Sequence, residues 1–204
     1  MGNNPLKTLI QRYPQLGCCE ADIVSAFELL CSVFESHNKL LVAGNGGSAS
    51  DADHIAGELL KAFGKKAYLA NSGLPKTLER RLQHALPVIP LANLHGAFTA
   101  YSNDNSPEWA FAQLSYALGN PGDGLWALST SGNSENILHA SQVARAKQMK
   151  VLGLTGQSGG QLRALCNVCI CVPEEETFKV QELHLPIYHC LCLMLEEHFF
   201  GKCP

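Results

Sequence analysis

Residues 124–156 read GLWALSTSGNSENILHASQVARAKQMKVLGLTG. An apolar run is followed by a turn of serine, threonine, glycine and asparagine, then a stretch of helical spacing, then a second apolar run. Short apolar runs bounded by turn residues predict buried strands, and ENILHASQVARAKQM has its apolar residues on one helical face. The unit continues on both sides. Upstream, KLLVAG (39–44) reads as a strand stopped by glycine, and SASDADHIAGELLKAF (48–63) as a helix. Ser48 is the expected N-cap of that helix, with Asp51 three residues on. Downstream come a short helix in GQLRALC (160–166), a strand in VCICVP (168–173) and a long helix over 177–200. Strands alternating with helices predict a parallel sheet covered on both faces, with ligands beyond the carboxyl ends of the strands. Both glycine- and serine-rich turns, GNGGSAS (44–50) and STSGNS (129–134), fall at that edge.

The rest of the chain adds to this frame. Residues of about 4–37 read as two helices, the second in ADIVSAFELLCSVFESH. The segment 64–92 is expected to hold a loop, a short helix around KTLERRLQ and a strand at LPVIPL. PEWAFAQLSYAL (107–118) is a helix with Pro107 in its first turn. A chain of 204 residues fits one domain over 1–204.

Composition removes several classes of function. The net charge of −3 gives no electrostatic footprint for nucleic acid or a membrane surface. No stretch approaches the ~20 apolar residues of a membrane span, and the N-terminus lacks the pattern of a signal peptide. Its MGNNPL start has Leu6 where a myristoylation signal has Ser or Thr. Charged residues make up only 16 % of the chain, which points to surface lost to subunit contacts. The nine cysteines sit mostly in apolar runs, including Cys169, Cys171, Cys190 and Cys192, as expected of buried thiols in a reducing cytoplasm. The CNVC of 166–169 has metal-knuckle spacing but no second pair, so it reads as core strand.

GNGGSA formally matches a dinucleotide fingerprint. That fingerprint needs an acidic residue about 20 positions on to hold the ribose, and GKKAYLA (64–70) offers none. The Walker A pattern also fails, so no nucleotide cofactor is expected. Taken alone, the turn is a tight strand-to-helix connection. The second turn changes the balance. Ser129, Thr130, Ser131 and Ser134 supply short hydroxyls at a helix N-terminus, where free backbone N–H groups attract a phosphate. No lysine or arginine stands near, which favours a sugar phosphate over a polyphosphate with magnesium.

His54 and Glu58 lie one helical turn apart and face the same way, at the rim of the first turn. The last helix concentrates Gln181, Glu182, His184 and His189 in an otherwise apolar sequence. Gln181 and His189 point about 80° apart on an ideal helix, with Pro186 between them, so spacing alone does not make them converge.

With these residues in view, GNGGSASDADHIAGEL, NDNSPEWAFAQ, STSGNS, LTGQSGG and KVQELHLPIYHCLC together resemble the phosphoheptose isomerases of the SIS (sugar isomerase) family over residues of about 20–200. The resemblance implies a three-layer α/β/α sandwich with a five-stranded parallel sheet, flavodoxin-like or Rossmann-like. Residues of about 1–37 would pack in the oligomer and 38–204 would form the core. It also implies a homotetramer with active sites at subunit interfaces. Such enzymes interconvert sedoheptulose 7-phosphate and D-glycero-D-manno-heptose 7-phosphate, the first step toward nucleotide-activated heptose for bacterial surface glycans. By the same resemblance Asn45, Gly46, Gly47 and Ser48 lie along the substrate, Asn103 and Asp104 contact its hydroxyls, and Ser129, Thr130, Ser131 and Ser134 hold its phosphate. His54, Glu58, Gln181 and His189 match zinc-binding positions. Glu58 is the implied base and His189 its partner acid/base on the opposite side; Gln181 also touches substrate. His184 is expected to be structural.

Two departures stand out. Ala62 occupies a position where shorter members carry arginine, with Lys61 beside it, and segment 64–92 is longer than theirs. Both bear on which sugar is bound more than on the reaction type. The competing readings are a non-catalytic SIS scaffold for the bacterial replication initiator and an isomerase of another sugar phosphate. Scaffold members lack the Glu and the late His, whereas Glu58 and His189 are both present here.

Overall fold

The computed structural model describes residues 4–64, 68–69 and 72–201. The chain begins with α1 (Pro5–Arg12), a 3-10 turn at Pro14–Cys19, and α2 (Glu20–Glu35). It continues through β1 (Leu40–Ala43), α3 (Gly47–Leu59), α4 (Lys76–Glu79), β2 (Val88–Pro90), α5 (His95–Asp104) and α6 (Ala110–Leu118). The last part is β3 (Gly124–Leu128), α7 (Glu135–Ala146), β4 (Lys150–Thr155), β5 (Val168–Cys171) and α8 (Thr177–Phe200). All five strands are parallel, in the order β2-β1-β3-β4-β5. This is the three-layer architecture expected from the alternating pattern.

Successive side chains of a strand point to opposite faces, and the strands here are apolar on both. Leu40, Val42, Trp126, Leu128, Leu152 and Leu154 face one layer, packed with α1, α2, α3 and α8. Leu41, Ala43, Leu125, Ala127 and Val151 face the other, packed with α6 and α7. The chain therefore leaves β1 toward one face, into α3, and leaves its neighbour β3 toward the other, into α7. A parallel sheet opens a crevice where such a reversal occurs, beyond the strands' carboxyl ends. Both glycine- and serine-rich turns border this crevice.

Several local expectations change. Ser48 is not the N-cap of its helix: α3 starts at Gly47 and its cap is Gly46, with φ of 54°. A glycine at the cap takes this left-handed backbone without a Cβ penalty. Ser48 is instead buried inside the first turn. Asp51 does not complete a capping box; it is buried and bonds to side chains of α8. α3 ends at Leu59, short of the expected Phe63, and Pro107 opens a 3-10 turn before α6. α5 has no counterpart in the sequence reading, and it fully buries none of its own side chains. Within the longer segment, residues 65–67 and 70–71 lie outside the described residues.

His184 lies on the core side of α8, fully buried, with neither ring nitrogen hydrogen-bonded. Burial, outweighing the pull of the nearby Thr155 backbone, lowers its pKa from 6.5 to about 4. The folded value is below the unfolded one, so the unfolded chain takes up the proton first. This contribution to stability is complete above pH 6.5 and is lost as pH falls toward 4, by about 3 kcal/mol. In urea unfolding at pH 7 and pH 4.5, His184→Leu is expected to lose less stability between the two than the wild type. Equal losses would show that His184 is not buried neutral.

Candidate functional site

The turn after β1 is shaped by what packs on it. A Cβ on Gly47 would meet the Gln181 side-chain amide at 2.3 Å, so only glycine lets α8 lay Gln181 across the start of α3. Asn45 and Asn136 exchange two amide hydrogen bonds of 2.8 Å, tying this turn to the first turn of α7.

The turn after β3 is braced from behind by the turn after β4. Gly156 N–H donates to the Thr130 carbonyl at 2.9 Å, and Leu162 N–H to the Gly132 carbonyl at 2.9 Å. Gln161 N–H donates to Asn133 Oδ1 at 3.0 Å. Gly132 has φ of 65°, and a Cβ there would lie 2.2 Å from the Gly159 carbonyl oxygen. Ser134 is the cap residue of α7, yet its hydroxyl accepts from buried Ser129 at 3.1 Å and does not bond the helix backbone. Asn133 N–H donates to Ser131 Oγ at 3.1 Å. The four hydroxyl residues named from the sequence thus line a rigid loop at the N-terminus of a twelve-residue helix, where backbone N–H groups and the helix dipole favour an anion.

α3 and α8 run in the same direction side by side, and their contacts assemble the third group. His54 Nε2 lies 3.1 Å from Glu58 Oε1 and 3.4 Å from His189 Nε2. One ligand atom from each of the three lies within 4.8 Å of the others. Glu58 and His189, the expected base and acid, therefore stand side by side in one chain, both against His54, and not on opposite sides as the resemblance implies. Tyr188 Oη contacts His54 Nδ1 at 3.0 Å and donates to Asp51 Oδ1 at 3.2 Å, while Gln181 Nε2 donates to Asp51 Oδ2 at 3.1 Å. Burial, then the positive field of His54, lowers the His189 pKa, with Glu58 opposing. Burial raises that of Asp51 against the bonds from Gln181 and Tyr188. Burial and the Asp51 carboxylate push the Tyr188 hydroxyl upward, so it keeps its proton.

This cluster fits a divalent cation. Glu58 Oε2 is buried without a hydrogen bond, facing only the exposed Lys61 ammonium at 3.6 Å. Two imidazole nitrogens and a carboxylate converge with too few protons to satisfy one another, and that donor set suits zinc. Gln181 reaches Asp51, one helical turn before His54. The cysteines form no such group: among the described residues this is the one cluster of its kind, and all eight described cysteines are free. His189 also opens onto a groove of about 360 Å³ between α1 and α8, lined by Arg12, Tyr13, Phe63 and Leu185.

Asn103 and Asp104 stand apart from these groups. They lie exposed at the end of α5, bonded to each other at 3.0 Å. The sequence reading missed Asp51 as a buried partner, Tyr188, Asn136, and the brace from the turn after β4. The brace had a signal in the glycines of LTGQSGG; Asp51 had one only in its spacing of three from His54.

The SIS domain model matches residues 18–156. A phosphoheptose isomerase from Synechocystis is 35 % identical over 197 residues, covering 97 % of this chain and 92 % of that protein. One from Helicobacter pylori is 40 % identical over 174 residues, covering 85 % and 82 %. The solved phosphoheptose isomerase from Francisella tularensis superposes with a TM-score of 0.77 at 32 % identity, covering 94 % of each chain.

Proposed function

The chain belongs to the phosphoheptose isomerase family of SIS-domain proteins, and from that premise we propose that it interconverts sedoheptulose 7-phosphate and D-glycero-D-manno-heptose 7-phosphate through an enediol. The observations that support this reading are two arrangements in one chain: a hydroxyl-lined turn suited to a phosphate at the carboxyl edge of the sheet, and a carboxylate grouped with two imidazoles between α3 and α8.

In this reading the turn of Ser129, Thr130, Ser131 and Ser134 holds the phosphate, and Asn45, Gly46, Gly47 and Ser48 lie along the sugar. From the ketose, Glu58 takes a proton from C1 while a proton reaches the C2 oxygen. Glu58 then returns its proton to C2 as the C1 hydroxyl proton leaves. His189 handles the oxygen protons: it gives one to the C2 oxygen as the enediol forms and takes one from the C1 hydroxyl as the aldehyde forms. His54, Glu58, His189 and Gln181 would hold zinc, which when bound supplies positive charge for the oxygen that gains negative charge in the enediol. Glu58 serves as base only if its bond to the ion is labile.

Asn103 and Asp104 contact the sugar hydroxyls once the assembly is complete. A homotetramer with sites between subunits is supported by α5, which fully buries none of its side chains within one chain, and by exposed Leu78 and Leu82 in the longer segment. A cytoplasmic setting is supported by the free cysteines. No helix among the described residues is long and apolar enough to cross a membrane.

The scaffold reading is disfavoured because Glu58 and His189 are both present and both contact His54. The deciding experiment is an isomerase assay with sedoheptulose 7-phosphate beside six-carbon sugar phosphates. Turnover restricted to the heptose supports the proposal; turnover of hexose phosphates alone would reassign the substrate. Replacing Ser131 and Ser134 together by alanine should raise KM about 10²- to 10⁴-fold with kcat little changed, since hydrogen bonds to a charged group contribute about 1.5–3 kcal/mol each and two are removed. An unchanged KM would place the phosphate elsewhere.

A further inference from the structure

Asp51 and Tyr188 lie between α3 and α8, behind the histidine–glutamate cluster, and are assigned no part in the reaction above. Asp51 is 8 % exposed and Tyr188 is fully buried. Each makes two polar contacts, and the contacts have a direction. A carboxylate can only accept hydrogen bonds. Asp51 Oδ2 accepts from Gln181 Nε2 at 3.1 Å, and Oδ1 accepts from the Tyr188 hydroxyl at 3.2 Å. A tyrosine hydroxyl has one proton. With that proton directed to Asp51, its contact with His54 Nδ1 at 3.0 Å is made by an imidazole N–H donating to the tyrosine oxygen.

We infer that Asp51 and Tyr188 are positioning residues that hold the His54 proton on Nδ1 and the Gln181 amide with its nitrogen inward, leaving the His54 Nε2 lone pair and the Gln181 carbonyl oxygen as the free ends.

The consequence falls on the cluster in front. His54 Nε2 is the nitrogen that faces Glu58 Oε1 at 3.1 Å and His189 Nε2 at 3.4 Å. Left to itself, a neutral imidazole so placed would put its proton on Nε2 and donate to the carboxylate. The chain from Asp51 through Tyr188 opposes this. It keeps a group of acceptors pointed at one another, an arrangement that a cation relieves. A hydrogen-bonded group behind a ligating histidine fixes its tautomer and raises its basicity. One buried carboxylate here orients two residues, His54 through a tyrosine and Gln181 directly. Gly47 fits the same scheme, since the Gln181 amide lies where its Cβ would be.

The role of this device in metal binding rests on the zinc reading above, but the proton position does not. The test therefore has two readouts. Nitrogen-15 NMR of histidine-labelled, metal-free protein at pH 8.5 should find His54 protonated on Nδ1 in the wild type. In Tyr188→Phe, which keeps the buried ring, the proton should move to Nε2. Zinc titration of the same two proteins should show affinity lower by about 10- to 100-fold in the variant, with far-UV circular dichroism unchanged. A wild-type His54 protonated on Nε2 overturns the inference without any variant, as does a Tyr188→Phe protein with both tautomer and zinc affinity unchanged. A wild type that shows the Nδ1 proton but binds no zinc would leave the tautomer assignment standing and remove the metal from the proposed function.

Discussion

Replacing Glu58 by glutamine is expected to lower kcat by about 10²–10⁴-fold, the range contributed by a positioned general base. The substitution keeps shape and volume and removes the negative charge, and with it the ability to take a proton. The phosphate end should be untouched, because the turn at 129–134 is braced by the turn at 156–162 and not by Glu58. Stability should hold or rise. Glu58 Oε2 is a buried oxygen with no hydrogen bond, and a neutral amide is less costly there than a carboxylate. Kinetics and thermal unfolding of the variant check this, with zinc content measured in parallel because Glu58 is also a candidate ligand. Zinc retained with turnover lost assigns the effect to the base. Turnover near the wild-type level removes Glu58 from that role.

Gly132→Ala should be the most damaging change outside the acid–base cluster. Its φ of 65° is a backbone conformation that costs a non-glycine residue about 1–2 kcal/mol. The new methyl would lie 2.2 Å from the Gly159 carbonyl oxygen and 2.9 Å from Gly160 N. Both obstacles are backbone, so no rotamer change relieves them, and forced overpacking adds about 1–3 kcal/mol. The expected loss in urea unfolding is about 2–5 kcal/mol. Because the clash separates the two turns, the hydroxyls of 129–134 should shift as well, raising KM for the sugar phosphate at least as far as the double serine variant does. A stable variant with unchanged KM would mean that this turn does not hold the phosphate.

The layers of the fold are legible because β1 and β3 are apolar on both faces and each is followed directly by small residues, at Gly44 and at Ser129. α8 was legible to the residue, since its apolar pattern carries through Pro186 without a break. α5 was not, for a physical reason: it fully buries none of its residues and sets only Phe98 against the core, so it has no periodic apolar face to read. The cap of α3 is not legible, because the choice between Gly46 and Ser48 is made by a dihedral angle, not by hydroxyl chemistry.

At the site, His54 and Glu58 could be paired from their spacing of four. The relation of Gln181 to His189 could not, since they point about 80° apart on one helix. The structure resolves it through α3. Gln181 reaches Asp51 and His189 reaches His54, so two residues three apart on α3 span the arc between two residues eight apart on α8. Asp51 has the spacing of a capping residue, and its inward direction depends on where α8 packs, which no local pattern states.

The proton transfer at the centre of this account can be observed directly. Wild-type protein incubated with sedoheptulose 7-phosphate in deuterium oxide, followed by proton and carbon NMR, is predicted to form the aldose with deuterium bound at C2. Under the same conditions the Glu58→Gln protein should form it about 10²–10⁴-fold more slowly. Absence of the aldose with wild type, or an aldose that carries no deuterium after many turnovers, would contradict an enediol formed by Glu58.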